Sequence, residues 1–235
     1  MRLDKFFTAA GLLSRKEAAQ AARAGRITRN GEVVRRADVH IDEESDLITL
    51  DGSPVGYSEF DYFWLNKPEG YVSATEDGRF PCVTELLPPP YDKRGLFPCG
   101  RLDRDTVGLM LLTNDGALSH RLLSPRHHVE KEYRFTCDAP LPAGAEERFA
   151  EGIALGEEQC KPASLVCDGG RCGGVITLTE GKYHQIKRMV EVCGATVTSL
   201  ERISFAGFSL DPSLSRGELR PLTEEEIERL RHAAD

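Results

Sequence analysis

The chain has 235 residues, 40% apolar and 29% charged, an ordinary globular balance that excludes disordered, collagen-like and membrane-spanning classes. No run is apolar enough to cross a bilayer, and Met1-Arg2-Leu3-Asp4-Lys5 is not the start of a secretory leader, so a soluble, cytoplasmic protein is expected. The formal net charge of −8 argues against a uniformly basic polyanion binder, but the charge is segregated: residues 1–36 hold nine Lys/Arg and three acids, and residues 37–58 hold six acids and no Lys/Arg. Phosphate binding follows local potential, so a basic face can coexist with an acidic remainder.

Taken in chain order, Leu3, Phe6 and Phe7 share one face of a short helix. Ser14 with Glu17 three residues on forms a capping box for a second helix, which runs through an Ala-rich stretch to Ala24 and stops at Gly25. Arg26 to Val34, with Asn30-Gly31 between two β-prone runs, predicts a hairpin. A strand over Asp46–Leu50 ends at Asp51-Gly52, and residues 53–60 read as a linker. Beyond it, strands are expected over Asp61–Asn66 (stopped by Lys67-Pro68), Val107–Leu112, Tyr133–Cys137 and Val175–Thr179. A helix is expected over Leu141–Glu151. A capped acidic helix begins after Thr223 and reads as a solvated tail. There is no internal repeat. The pattern is α+β around a central mixed, mainly antiparallel sheet, with a division into residues 1–58 and 59–235.

Seven cysteines (82, 99, 137, 160, 167, 172 and 193) show no paired spacing, which predicts free thiols rather than a disulfide framework. No ligand set suits zinc, so no metal site is expected. His127, His128 and His184 read as polar or RNA-facing for the same reason.

Two short helices followed by a small basic β element resemble the S4-type (alpha-L) RNA-binding module. The likeness is carried by Arg2-Leu3-Asp4-Lys5-Phe6, Ser14-Arg15, Gly25-Arg26-Ile27 and Asn30-Gly31. It implies that Arg2, Arg15, Lys16, Arg23 and Arg26 offer phosphate contacts. A solvated helix face would carry similar charges.

The densest chemistry lies in Gly100-Arg101-Leu102-Asp103-Arg104-Asp105-Thr106-Val107-Gly108-Leu109, ahead of an apolar strand that ends at Thr113-Asn114-Asp115-Gly116. A loop held by a rigid strand suits a catalytic group. From the residues alone, a turn Asp accepting backbone hydrogen bonds is equally ordinary, and Asp103 with Asp105 also admits a hydrolase dyad.

Gly-Arg-Leu-Asp at 100–103, with the Thr-x-Gly-Leu and Thr-Asn-Asp-Gly that follow, resembles the catalytic motif of the pseudouridine synthases, in their RsuA-like branch. Leu65-Asn66-Lys67-Pro68-x-Gly70, Lys131-Glu132-Tyr133 and Glu180-Gly181-Lys182-Tyr183-His184-Gln185-Ile186-Lys187-Arg188-Met189 resemble three further motifs in the family's order.

The resemblance implies isomerisation of a uridine in folded RNA, a reaction that needs no redox step, metal or organic cofactor. Asp103 would be the catalytic carboxylate, Lys187 the cation that keeps it ionised, and Tyr133 a ring stacked on the flipped uracil. Leu178 would be the apolar wall under the base, and Arg101 would fill the space the nucleotide leaves. Lys182 and Arg188 are expected to face RNA. If residues 183–193 are helical, Ile186, Met189, Val190 and Cys193 make the buried stripe and Lys187 projects off it.

Ser124-Pro125-Arg126-His127-His128 and Tyr183-His184 resemble the members acting on small-subunit (16S) rRNA. Members acting on the large subunit usually carry Asn-Arg in place of Tyr183-His184. The expected partner is therefore rRNA, within a partly assembled small subunit, and the chain is expected to be a monomer. The alternatives are the same chemistry on large-subunit rRNA, a non-catalytic ribosome assembly factor, or a carboxylate-dependent nucleoside glycosidase.

Overall fold

The computed structural model describes residues 1–124 and 126–233. Pro125 of the Ser124-Pro125-Arg126 stretch lies outside the described residues. The chain forms two compact units, Met1–Asp61 with Leu87–Leu96, and Tyr62–Leu86 with Phe97–Asp235. A single cut near residue 58 therefore misses Leu87–Leu96, which packs with the first unit.

In the first unit, α1 (Leu3–Ala9) and α2 (Arg15–Arg23) precede β1 (Ile27–Arg29), β2 (Glu32–Val33), β3 (Ile48–Leu50) and β4 (Ser53–Pro54). The capping box at α2 is complete: Ser14 Oγ accepts from Glu17 N at 3.3 Å, and the Glu17 carboxylate accepts from Ser14 N at 2.7 Å. The alanines on its inner face, Ala18, Ala21 and Ala22, are small enough to let α1 close in, and they join Leu3, Phe6, Phe7, Ile27 and Ile48 in one core. Asn30 and Gly31 take φ of 51° and 85°, the left-handed pair that a two-residue hairpin turn needs, and Arg29 pairs with Glu32 across it. The sheet runs β2-β1-β3-β4. The expected linker thus begins inside the sheet, because Ser53-Pro54 pairs back onto β3.

The second unit is built on a nine-stranded sheet. Its elements are β5 (Tyr62–Lys67), β6 (Phe97–Pro98), β7 (Val107–Thr113), α3 (Gly116–Leu123), β8 (Lys131–Cys137), α4 (Ala145–Glu151), β9 (Ala154–Leu155) and β10 (Glu158–Gln159). They continue with β11 (Ser164–Cys167), β12 (Gly173–Leu178), α5 (Gln185–Val192), β13 (Val197–Phe205), β14 (Phe208–Ser209), β15 (Leu219–Pro221) and α6 (Glu224–Ala233). The main strand order is β11-β12-β8-β13-β7-β5-β15. Within it only β13 and β7 run parallel, so the sheet is mixed and mainly antiparallel.

The parallel pair is close because residue 108 is glycine. Its φ is +104°, and a Cβ there would overlap the Arg202 carbonyl oxygen of β13. Tyr62 donates to Asp115 at 2.8 Å, and Asp115 accepts from Leu118 N at 2.9 Å to cap α3. Burial and that bond push the Tyr62 phenol up to about 12. Asp115 is therefore a structural part of the Thr113–Gly116 motif.

Two expectations change here. Residues 141–144 precede α4 instead of belonging to it, since Gly144 takes a left-handed φ of 86° at the N-cap. The tail helix α6 is also more than a solvated element. Thr223 and Glu226 close a capping box, and Leu230 is fully buried.

Candidate active site

Asp103 sits in the turn between Gly100 and β7, in the second unit. Two devices hold that turn. Ser73 Oγ donates to Leu102 O at 2.7 Å and accepts from Leu102 N at 2.9 Å. Lys67, at the end of β5 and fully buried, donates from Nζ to the carbonyl oxygens of Thr106 at 2.8 Å and of Pro68 and Asp103 at 3.1 Å, with Arg104 O at 3.4 Å. An ammonium has three N–H donors and suits such a carbonyl nest. Burial nonetheless pulls Lys67 down to about 8, against the attraction of Asp105 and Asp103.

The Asp103 carboxylate opens onto a cavity of about 540 Å³. Lys187, on the first turn of α5, reaches it at 3.0 Å and reaches Asp105 at 2.6 Å. Burial alone would lower the Lys187 ammonium, but the hydrogen bonds and charges of Asp105 and Asp103 outweigh it and raise it. Burial would likewise raise the Asp105 carboxyl, and the Lys187 contact brings it below its ordinary range. His184 Nε2 lies 3.5 Å from the other Asp103 oxygen. Asp103 and Asp105 are in a turn, not on a strand as the hydrolase reading required, and one lysine bridges them. Among the described residues no cluster of His, Cys, Asp and Glu is arranged to hold a metal ion.

Tyr133 on β8 and Leu178 on β12 are buried and line the same cavity, as does the exposed Arg101, so the predicted catalytic and substrate residues come together. α5 buries Ile186, Met189 and Val190 as its periodicity requires, with Cys193 buried just beyond its end. Lys182 and Arg188 have framework bonds: Lys182 Nζ donates to Gln159 O at 2.8 Å, and Arg188 reaches Leu155 O at 3.1 Å and Glu158 at 3.3 Å.

In the first unit Arg2, Arg15, Lys16, Arg23 and Arg26 are exposed. Arg2 is paired with Asp4 at 2.7 Å and Arg26 with Asp51 at 2.5 Å.

Sequence reasoning missed Lys67, Lys131, His184 and Arg202 as parts of this site. Arg202 on β13 is 2% exposed, donates from Nε to Leu109 O at 2.6 Å and lines the cavity. Lys131, buried beside it, is lowered to about 8 by burial and by the Arg202 charge.

Residues 61–192 match the family model described as RNA pseudouridylate synthase, and residues 1–48 match the S4 domain. The chain belongs to the RNA pseudouridylate synthase family. It is 44% identical to the ribosomal small subunit pseudouridine synthase A of Escherichia coli, over 97% of this chain and 98% of that one. It is 42% identical to an uncharacterised RNA pseudouridine synthase of Bacillus subtilis, over 97% of each. A crystal structure of a pseudouridylate synthase superposes with a TM-score of 0.68 at 40% identity, covering 98% of this chain and 99% of that one. This pseudouridine synthase is thus an isomerase acting on RNA, of α+β fold, with an S4 RNA-binding domain at its N-terminus.

Proposed function

We propose that the chain isomerises one uridine of small-subunit (16S) rRNA, in the cytoplasm, acting as a monomer on a partly assembled subunit. The division of labour follows the chain: RNA binding by the S4 region over residues 1–58, and chemistry over residues 59–235. The substrate assignment rests on the likeness to relatives named for the small subunit and on Tyr183-His184 in the motif before α5.

The observation that carries the catalytic assignment is the Asp103 carboxylate at the cavity, held 3.0 Å from Lys187 and sharing the space with Tyr133 and Leu178. The reaction breaks the C1′–N1 bond, turns the uracil, and joins C1′ to C5. The C5 proton leaves and N1 gains one, so the atoms balance without any redox partner. Asp103 stabilises or attacks the reacting nucleoside, and Lys187 holds its carboxylate in place from 3.0 Å. Tyr133 stacks on the uracil, with its hydroxyl available for the C5 proton. Leu178 supplies the apolar wall. Arg101, which makes no ion pair among the described residues, fills the gap left by the flipped nucleotide. Arg15, Lys16 and Arg23, with the paired Arg2 and Arg26, contact phosphates, as do the remaining donors of Lys182 and Arg188.

Carbodiimide mapping of unmodified small-subunit rRNA, bare and protein-bound, tests the reading. One new reverse-transcription stop with the wild type and none with Asp103→Asn is expected. A stop only on large-subunit rRNA would overturn the substrate. No stop on either, with tight binding, would point to an assembly factor.

A further inference from the structure

The cavity has an aromatic feature at its edge that the catalytic roles leave unused. Tyr183 lines the cavity yet is 71% exposed, unusually open for a large aromatic side chain. Its ring stacks on the His184 imidazole, with centroids 3.9 Å apart and planes 18° from parallel. One face of the tyrosine is therefore covered and the other is free.

The loop that carries the pair is pinned. Gln185, buried, accepts from Lys182 N at 2.9 Å and donates to Glu180 at 2.7 Å, and Glu180 accepts from Lys161 N at 2.9 Å. Lys182 Nζ and Arg188 tie the same loop to β9 and β10. His184 itself takes φ 48°, ψ 33°, a left-handed conformation that is strained for a non-glycine residue and persists only where neighbours enforce it. The strained backbone turns the imidazole so that one side meets Tyr183 and Nε2 lies 3.5 Å from Asp103.

We infer that Tyr183, backed by His184, is a stacking platform for the unpaired nucleobase next to the target uridine in the RNA strand. This rests on the reading of Asp103 as the catalytic carboxylate. A base has a π-face whatever its identity, so a fixed ring with one open side binds it without reading sequence. The platform is preorganised, so little conformational freedom is lost when a base lands on it. The target uracil needs enclosure, which the buried Tyr133 and Leu178 provide, while a flanking base needs only one covered face. The stack Tyr183–His184 reaches the carboxylate of Asp103, so seating the neighbour sets the position of the target. Tyr183 is a binding and positioning residue and His184 its support.

The test uses the full chain and whichever rRNA fragment the wild type modifies. Tyr183→Ala should raise KM about ten-fold, the loss of one base stack, with kcat falling far less. Tyr183→Trp should restore KM, which a merely structural role would not allow. In parallel, 2-aminopurine is placed 5′ or 3′ of the target, and binding to Asp103→Asn protein is followed by fluorescence. Quenching at one of the two positions that disappears on adding Tyr183→Ala is expected. Unchanged KM and unchanged quenching in the Tyr183→Ala chains would overturn the platform, and so would a kcat loss with KM intact. Absence of wild-type turnover on every rRNA would instead defeat the catalytic reading beneath it.

Discussion

Lys67→Met separates the stability of the catalytic turn from its activity. Below pH 8 the ammonium is held in a buried nest, and its depression from 10.5 to about 8 corresponds to about 3 kcal/mol of unfavourable burial. Methionine removes that cost and fills the volume. It also leaves the carbonyls of Pro68, Asp103 and Thr106 without their donor, each costing about 1–3 kcal/mol. The balance is a net loss of up to roughly 6 kcal/mol, each kcal/mol being worth about 2–4 °C in Tm for a chain of this size. The effect on kcat should be about 100-fold, because misplacing a catalytic group by an ångström costs that much.

The pH dependence has a definite sign. Between pH 8 and 10.5 the unfolded lysine is protonated and the native one is not, so the unfolded state binds more protons. Stability then rises with pH across that window for this group. Denaturant melts of wild type and Lys67→Met from pH 7 to 11 should show the wild type gaining up to about 3 kcal/mol relative to the variant. Lys131, lowered to about 8 as well, is common to both chains and cancels. Parallel stability curves, or a variant with wild-type kcat, would refute the reasoning.

Two further outcomes follow from the geometry. Asp105→Asn removes the closer of the two Lys187 partners, but Asp105 is 60% exposed. Turnover should therefore stay within about three-fold, whereas Lys187→Met, which strands Asp103 in a partly buried site, should cost about 100-fold; single-turnover kinetics on rRNA reads both. Gly108→Ala should cost several kcal/mol or prevent folding, since its Cβ meets the backbone of Arg202, while Gly116→Ala, which meets nothing within 4 Å, should leave Tm within a few degrees.

What the sequence disclosed and what it hid divide along the range of the interaction. The α2 capping box, the Asn30-Gly31 turn, the alternation of β8 and the stripe on α5 are local, and each was legible from spacing. The start of α4 was misjudged because Leu141 continues the apolar period, yet Gly144 takes the left-handed cap and the helix begins at Ala145, four residues later than Leu141 suggests. Ser53-Pro54 hid as linker because a two-residue strand has no period to detect. The tail helix looked solvated from its glutamates, although Ile227 and Leu230, three apart, mark an inward face. The site was legible only where a family motif marked it.

The cation arrangement behind the site had no local signature. Lys67, Lys131 and Arg202 come from three strands, and only pairing of β5, β7, β13 and β8 brings them into one sheet. The charges act on one another: Arg202 helps lower both Lys67 and Lys131, while Asp103 and Asp105 attract Lys67. Lys131 and Arg202 line the cavity, while Lys67 turns its donors to the carbonyls of the catalytic turn. A cation fixed in a cavity wall favours negative charge that develops beside it, with no reorganisation needed. The sheet holds these side chains in fixed places that exposed lysines, free to swing into solvent, would not keep.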